Sequence, residues 1–169
     1  MSKNVFPKDE IFGAIQTGNI ETLKRLVSAE NINLKDRSGH TLLHMATNGE
    51  KTEIAKWLVS IGAEINTHCS GHTAVSLALT KGNFELFEFY LKHNGDCKGR
   101  NQLNLLHEAA NKDRCDIVET LIDRGADPNQ LNNIQNTPLT IAVLHSNKKI
   151  CQALLESGAC ATIPDKKGT

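Results

Sequence analysis

The sequence predicts an all-α solenoid of stacked helix-turn-helix units joined by β-hairpin-like fingers, and three observations carry that reading. First, the run Gly39-His40-Thr41-Leu42-Leu43-His44-Met45-Ala46 returns as Gly71-His72-Thr73-Ala74-Val75-Ser76-Leu77-Ala78. Weaker copies follow at Asn104-Leu105-Leu106-His107-Glu108-Ala109 and Thr137-Pro138-Leu139-Thr140-Ile141-Ala142, so the Thr41-type positions are spaced by 32, 31 and 33 residues. Second, a closing signature appears in phase, as Gly62-Ala63-Glu64-Ile65-Asn66 and Gly125-Ala126-Asp127-Pro128-Asn129. Third, apolar residues between the two signatures fall at helical spacing. A fixed period of this length marks small units that bury their apolar faces on one another.

Taken in chain order, Ala14, Gly18, Asn19, Glu21, Leu23, Leu26 and Val27 match a helix pair that lacks the opening motif. Lys24 and Arg25 place charge where an outermost unit meets water, so residues 7–35 read as an N-terminal cap. In the units that follow, Thr41 stands where a helix N-cap belongs, with its hydroxyl accepting a free backbone N–H of the first turn. Asn104 does the same work in its unit. Pro138 falls at the first helical position, where a missing N–H costs nothing. Ala46, Ala78, Ala109 and Ala142 keep each first helix thin enough for close approach.

The second helices carry apolar stripes: Ile54, Trp57 and Leu58, then Leu86, Phe87, Tyr90 and Leu91, then Ile117, Val118, Leu121 and Ile122. Phe84, Phe89 and their neighbours read as core rather than as a docking patch, with Phe84 the most exposed of them. Gly62, Gly125 and Gly158 stop these helices in the left-handed conformation, and Asn94 takes that place in the third unit. Turn-forming residues, Lys35 to Gly39 and Thr67 to Gly71, then build the fingers. The units run over 36–67, 68–98, 99–131 and 132–164, within a single repeat domain spanning 1–169. Asp165-Lys166-Lys167-Gly168 opens a sixth finger in register, and the next opening motif would start near residue 170, so the sixth unit reads as cut off.

These two recurring signatures make the chain resemble the ankyrin-repeat family, whose opening consensus is Asp, two variable residues, Gly, one variable residue, Thr-Pro-Leu-His, one variable residue, Ala. The resemblance covers nearly the whole chain and implies an architecture without catalysis of its own. It also implies that His44 and His107 serve the repeat's internal hydrogen bonding. Asn66 and Asn129 match positions that asparaginyl hydroxylases modify in ankyrin proteins.

Charge is balanced, with 19 basic and 19 acidic residues among 169, which argues against nucleic acid or an anionic membrane as partner. No apolar run approaches the roughly 18–20 residues of a membrane span, and Met1 to Phe6 lack the apolar stretch of a secretory signal. Five cysteines without a CxxC pair suggest a reducing compartment. A cytoplasmic monomer is expected, in the host cytoplasm if the chain is a bacterial effector, with the nucleus as a further possibility.

Candidate chemistry dissolves on inspection. His107-Glu108 resembles the first half of an HExxH zinc motif, but Asn111 stands where the second histidine belongs. His40, His68, Cys69 and His72 sit on neighbouring fingers in a spacing that matches no zinc module. There is no phosphate-cradling glycine loop and no nucleophile elbow. No cofactor, metal or enzymatic activity is expected.

Binding is expected on the concave face of the stack, made of finger tips and the free sides of the first helices. The register assigns to it Arg37, Ser38, His40 and Asn48, then Cys69, Ser70, His72, Thr80 and Lys81. The next unit supplies Arg100, Asn101, Leu103, Asn111 and Lys112, and the last Asn133, Ile134, Asn136, Leu144 and His145. Arg37, Lys81, Arg100 and Lys112 suggest a partner with acidic character, and Leu103, Ile134 and Leu144 suggest an apolar anchor. The functional expectation is a non-catalytic protein-interaction module, the N-terminal part of a larger regulator or effector. The alternatives are a targeting arm of a multidomain enzyme or channel, or a short stand-alone protein resembling the inhibitor-of-NF-kappa-B-like ankyrin proteins.

Overall fold

A computed structural model describes residues 7–97 and 105–161. The fold is an all-α repeat solenoid, and the described residues form five helix pairs. Contacts divide the chain into two compact units, Met1–Asp96 and Cys97–Thr169.

The first unit holds three pairs: α1 (Lys8–Thr17) with α2 (Ile20–Leu26), α3 (Leu42–Asn48) with α4 (Thr52–Ser60), and α5 (Ala74–Lys81) with α6 (Phe84–Lys92). Helices of seven to ten residues are too short to be stable alone, so tertiary packing holds them. First helices pack on first helices, α1 on α3 and α3 on α5, and α4 packs on α6. Ala46 and Ala78 are completely buried, as the need for thin first helices requires. Leu58, Leu86, Phe87 and Tyr90 are also fully buried, each worth roughly 1.5–3 kcal/mol of transfer free energy. Trp57, expected in the apolar stripe, is only half-buried, as are Phe84 and Phe89.

The capping chemistry follows the sequence. Thr41 accepts from the His44 N–H and Thr73 from the Ser76 N–H, and Ser76 returns a bond to the Thr73 N–H to close a capping box. In the cap pair Asn19 accepts from Thr22, Lys24 pairs with Glu21 at 3.1 Å and Arg25 with Glu10 at 2.8 Å. Asn94 is left-handed with φ 62°, so asparagine does replace the glycine of the other units. The residue after it is glycine for another reason. A Cβ on Gly95 would lie 2.6 Å from the Tyr90 carbonyl oxygen and 2.8 Å from Val75 Cγ2.

The second unit holds α7 (Leu105–Asn111) with α8 (Cys115–Asp123) and α9 (Pro138–Leu144) with α10 (Lys148–Glu156). Here α9 packs on α7 and α10 on α8. Pro138 takes the first turn of α9 behind the Thr137 cap, and Asn147 caps α10 by accepting from Ile150. Ala109 and Ala142 are fully buried, Ile117, Val118 and Leu121 form the core stripe, and Ile122 is half-buried. The N-cap assigned to Asn104 and the sixth finger at Asp165–Gly168 lie outside the described residues.

Neighbouring repeats are laced by side chains. The Tyr90 hydroxyl meets Thr47 Oγ1 at 2.5 Å, and Thr47 in turn donates to the Leu43 carbonyl at 2.7 Å. Thr47 has therefore spent its own proton, and Tyr90 donates to it. Burial pushes the Tyr90 phenol well above its ordinary pKa, so it stays protonated and available as that donor.

Two outcomes are expected. Thr47→Val strands the buried Tyr90 O–H and costs about 1–3 kcal/mol, whereas Tyr90→Phe leaves Thr47 its helix carbonyl and costs about 1 kcal/mol; urea unfolding of the two variants measures the asymmetry. Gly95→Ala lowers stability by about 1–3 kcal/mol, and adding Val75→Ala recovers only part of it because the carbonyl clash remains.

Candidate partner-binding surface

The fingers are tight turns, two of them held by a single side chain. In the first unit the Asp36 carboxylate accepts the N–H groups of Ser38 and His40 at 2.8 and 2.9 Å, with Gly39 left-handed at φ 85°. Burial pushes the Asp36 carboxyl up, but the His40 and Ser38 N–H groups and the nearby His40 ring outweigh it and hold the pKa below its usual value. The next finger is a two-residue hairpin. Ser70 and Gly71 are both left-handed, and Cys69 and His72 exchange backbone bonds of 2.8 and 2.9 Å. In the second unit Asn132 replaces the aspartate, accepting from Ile134 and Asn136 at 3.0 Å each.

Two of the fingers are fixed to the repeat before them by histidine. His44 Nε2 lies 3.3 Å from the His72 carbonyl and Nδ1 lies 2.7 Å from Thr41 Oγ1. A carbonyl only accepts, so Nε2 carries a proton; burial favours the neutral ring, in which Nδ1 accepts from the threonine hydroxyl. Desolvation by burial lowers its pKa first of all, the His72 carbonyl opposes this, and the His40 and Lys35 charges lower it further. His107 makes the same Nε2 contact in the second unit, 2.8 Å from the Asn136 carbonyl. The internal role implied for both histidines is what they perform.

Asparagines lace the outer edge of the same junctions. Asn66 donates to the Asn94 carbonyl and accepts from the Asp96 N–H, and Asn129 does the same with Gly158 and Cys160.

Of the residues assigned to the concave face, Arg37, Ser38, Asn48, Ser70, His72, Thr80 and Lys81 are exposed in the first unit, and His40 is half-buried beside Asp36. Cys69 is not available. It is 7% exposed, with its thiol 3.5 Å from the Ser38 carbonyl, because the hairpin turns its first residue inward against the preceding finger. In the second unit Asn111, Asn133, Ile134, Leu144 and His145 are exposed, and Lys112 and Asn136 are half-buried. Arg100, Asn101 and Leu103 lie outside the described residues. Among the described residues no three His, Cys, Asp or Glu side chains converge as a metal site, and no helix is long and apolar enough to cross a membrane.

The second unit presents a groove of about 260 Å³ between finger and helices, lined by His107, Glu108, Asn111, Asn132, Asn133, Ile134 and Ile141. Ile134 stands at its lip, 72% exposed. Sequence reasoning placed Asn111, Asn133 and Ile134 here but missed Asn132 of the finger and, on the helices, Glu108 and Ile141. The two helix residues occupy the register of Met45 and Leu77, a half-buried position one turn before the exposed row Asn48, Thr80, Asn111 and Leu144. A helix exposes a stripe rather than a single row, and that adjacency was the available signal.

A family model described as ankyrin repeats (3 copies) matches residues 11–101 and again 76–165. Among curated proteins, the chain is 28% identical over 144 residues to transient receptor potential cation channel subfamily A member 1 of Drosophila melanogaster, covering 80% of this chain and 12% of that one. It is 29% identical over 156 residues to an ankyrin repeat protein of Rickettsia felis, covering 92% and 39% respectively. With the ankyrin repeat protein FPV014 of fowlpox virus it shares 26% over 156 residues, covering 89% and 36%. The chain therefore spans well under two thirds of these relatives' length.

The neutral, desolvated His44 sets a pH dependence. Its folded pKa lies below the ordinary 6.5, so between the two values the unfolded chain binds the extra proton and stability rises with pH. Denaturation midpoints should hold steady above about pH 7 and fall as pH drops below 6.5, and the slope should flatten in His44→Gln; urea titrations at pH 8, 6.5 and 5.5 measure it.

Proposed function

This chain belongs to the ankyrin-repeat family, whose repeats are in general protein-interaction modules, and we propose that it is a non-catalytic recognition module holding a protein partner on its finger tips and first helices. The observation that carries the reading is the groove of the second unit. Nothing in the packing requires an isoleucine 72% exposed at its lip or a leucine 70% exposed at Leu144, and solvent-facing apolar side chains beside polar ones are what a partner's apolar residue buries. Half-buried Glu108 within the groove favours a basic or amide group next to that apolar residue. The first unit offers different chemistry: Arg37 and Lys81 are exposed cations that suit an acidic stretch.

The relatives include a channel, and the chain matches only a part of each longer protein. That pattern supports a role as the recognition segment of a larger regulator, effector or channel.

Ile134→Asp should reduce the recovery of a specific partner by about tenfold or more in affinity capture from lysate, as expected when a central apolar anchor is charged. Ile61→Asp, at an exposed isoleucine outside both the fingers and the groove, should not. Equal recovery by both variants would overturn the groove as the contact surface.

A further inference from the structure

The outer face of the last helix pair breaks the burial pattern of the chain. Position Val143 corresponds to Thr47 and Ala110, both completely buried beneath the repeat that follows them, yet Val143 is 60% exposed. Cys151 corresponds to Ala55 and Val118, both completely buried, and is itself half-exposed. Leu155 is 47% exposed where Val59 and Ile122 are half-buried. Thr140 stands in the register of His44 and His107, the residues that grip the next finger's carbonyl, and among the described residues its hydroxyl pairs with Thr137, three residues earlier, at 3.1 Å.

Contrast the first pair, whose surface carries the exposed ion pairs Lys24–Glu21 and Arg25–Glu10. That surface is charged, whereas Val143 and Leu155 bear no charge. The sequence beyond adds an independent pointer: Asp165-Lys166-Lys167-Gly168 repeats the spacing of Asp36-Arg37-Ser38-Gly39, the finger that leads into α3.

We propose that the face formed by Thr140, Val143, Cys151 and Leu155 is a stacking surface for one further helix pair of the same repeat type, in the register opened by Asp165–Gly168. The pair lies on α9 and α10 as those helices lie on α7 and α8. Its occupant is defined by complementarity: a thin, alanine-lined first helix against Val143, and an apolar second helix against Cys151 and Leu155. This does not depend on the groove reading, and either can fail without the other.

The test extends the chain directly after Thr169 with a copy of residues 137–161, which places the new Thr at the position required by the repeat. Expected is that Val143→Ser with Leu155→Ser lowers the urea midpoint of the extended chain by roughly 0.5–1 M, while moving that of the 169-residue chain by less than about 0.2 M. Hydrogen exchange of α9 and α10 amides in the unsubstituted proteins should slow at least tenfold on extension, a readout that does not depend on the variants folding. Equal midpoint losses in both chains, or no added protection on extension, would overturn the proposal. So would a concentration-dependent dimer of the 169-residue chain abolished by the two substitutions, which would assign the face to a second copy.

Discussion

A helix pair of seven and nine residues cannot bury its own apolar stripe, and each pair in this protein is therefore stable only on a neighbour. The junction where that debt is settled is chemically specific. A histidine at the start of a first helix donates from Nε2 to the carbonyl at the end of the next finger, and at His44 burial keeps the ring neutral while a threonine meets the other nitrogen. Around it the alanines let the helices approach, and the outer edge is closed by asparagine bonding both ways to the next turn. Energy and geometry are thus shared only between adjacent repeats, as in any quasi-one-dimensional stack.

The same constraint frees the functional surface. Once the inward side of a first helix and the base of a finger are committed to stacking, the finger tips and the remaining helix stripe have no structural duty. The two units spend that freedom differently. The first places cations at Arg37 and Lys81 on exposed ground, and the second builds a groove whose lip is an isoleucine and whose wall holds a glutamate. Recognition by such a module rests on preorganised side chains rather than on chemistry, because the scaffold is already ordered before a partner arrives.

Departures from the repeat pattern are informative for the same reason. Gly95 stands where the other repeats carry Ala63, Ala126 and Ala159, because Val75 and the Tyr90 carbonyl occupy the space a methyl group would need. Among the described residues Tyr90 is the largest fully buried side chain, and the hydroxyl it brings inside is matched by Thr47 at the position where the other repeats have Leu79, Ala110 and Val143. One bulky substitution in the core was accommodated by a polar partner and by a missing methyl.

The sequence by itself determined the repeat, the caps and the stops. Thr41, Thr73 and Thr137 cap their helices, Pro138 sits in a first turn, and Asn94 takes a left-handed stop, since each of these depends only on residues within a turn of the chain. The buried stripes were legible too, because helical periodicity records which side faces inward, with Trp57 and Ile122 as exceptions that are only half-buried. What the tertiary structure alone decided was which finger and helix residues remain free. Cys69 turned inward against a carbonyl 31 residues earlier, Glu108 and Ile141 came to line a groove, and Val143 lost the cover its counterparts enjoy. Exposure at these positions is set by neighbours about one repeat away, and a local pattern carries no record of whether such a neighbour is present or how closely it approaches.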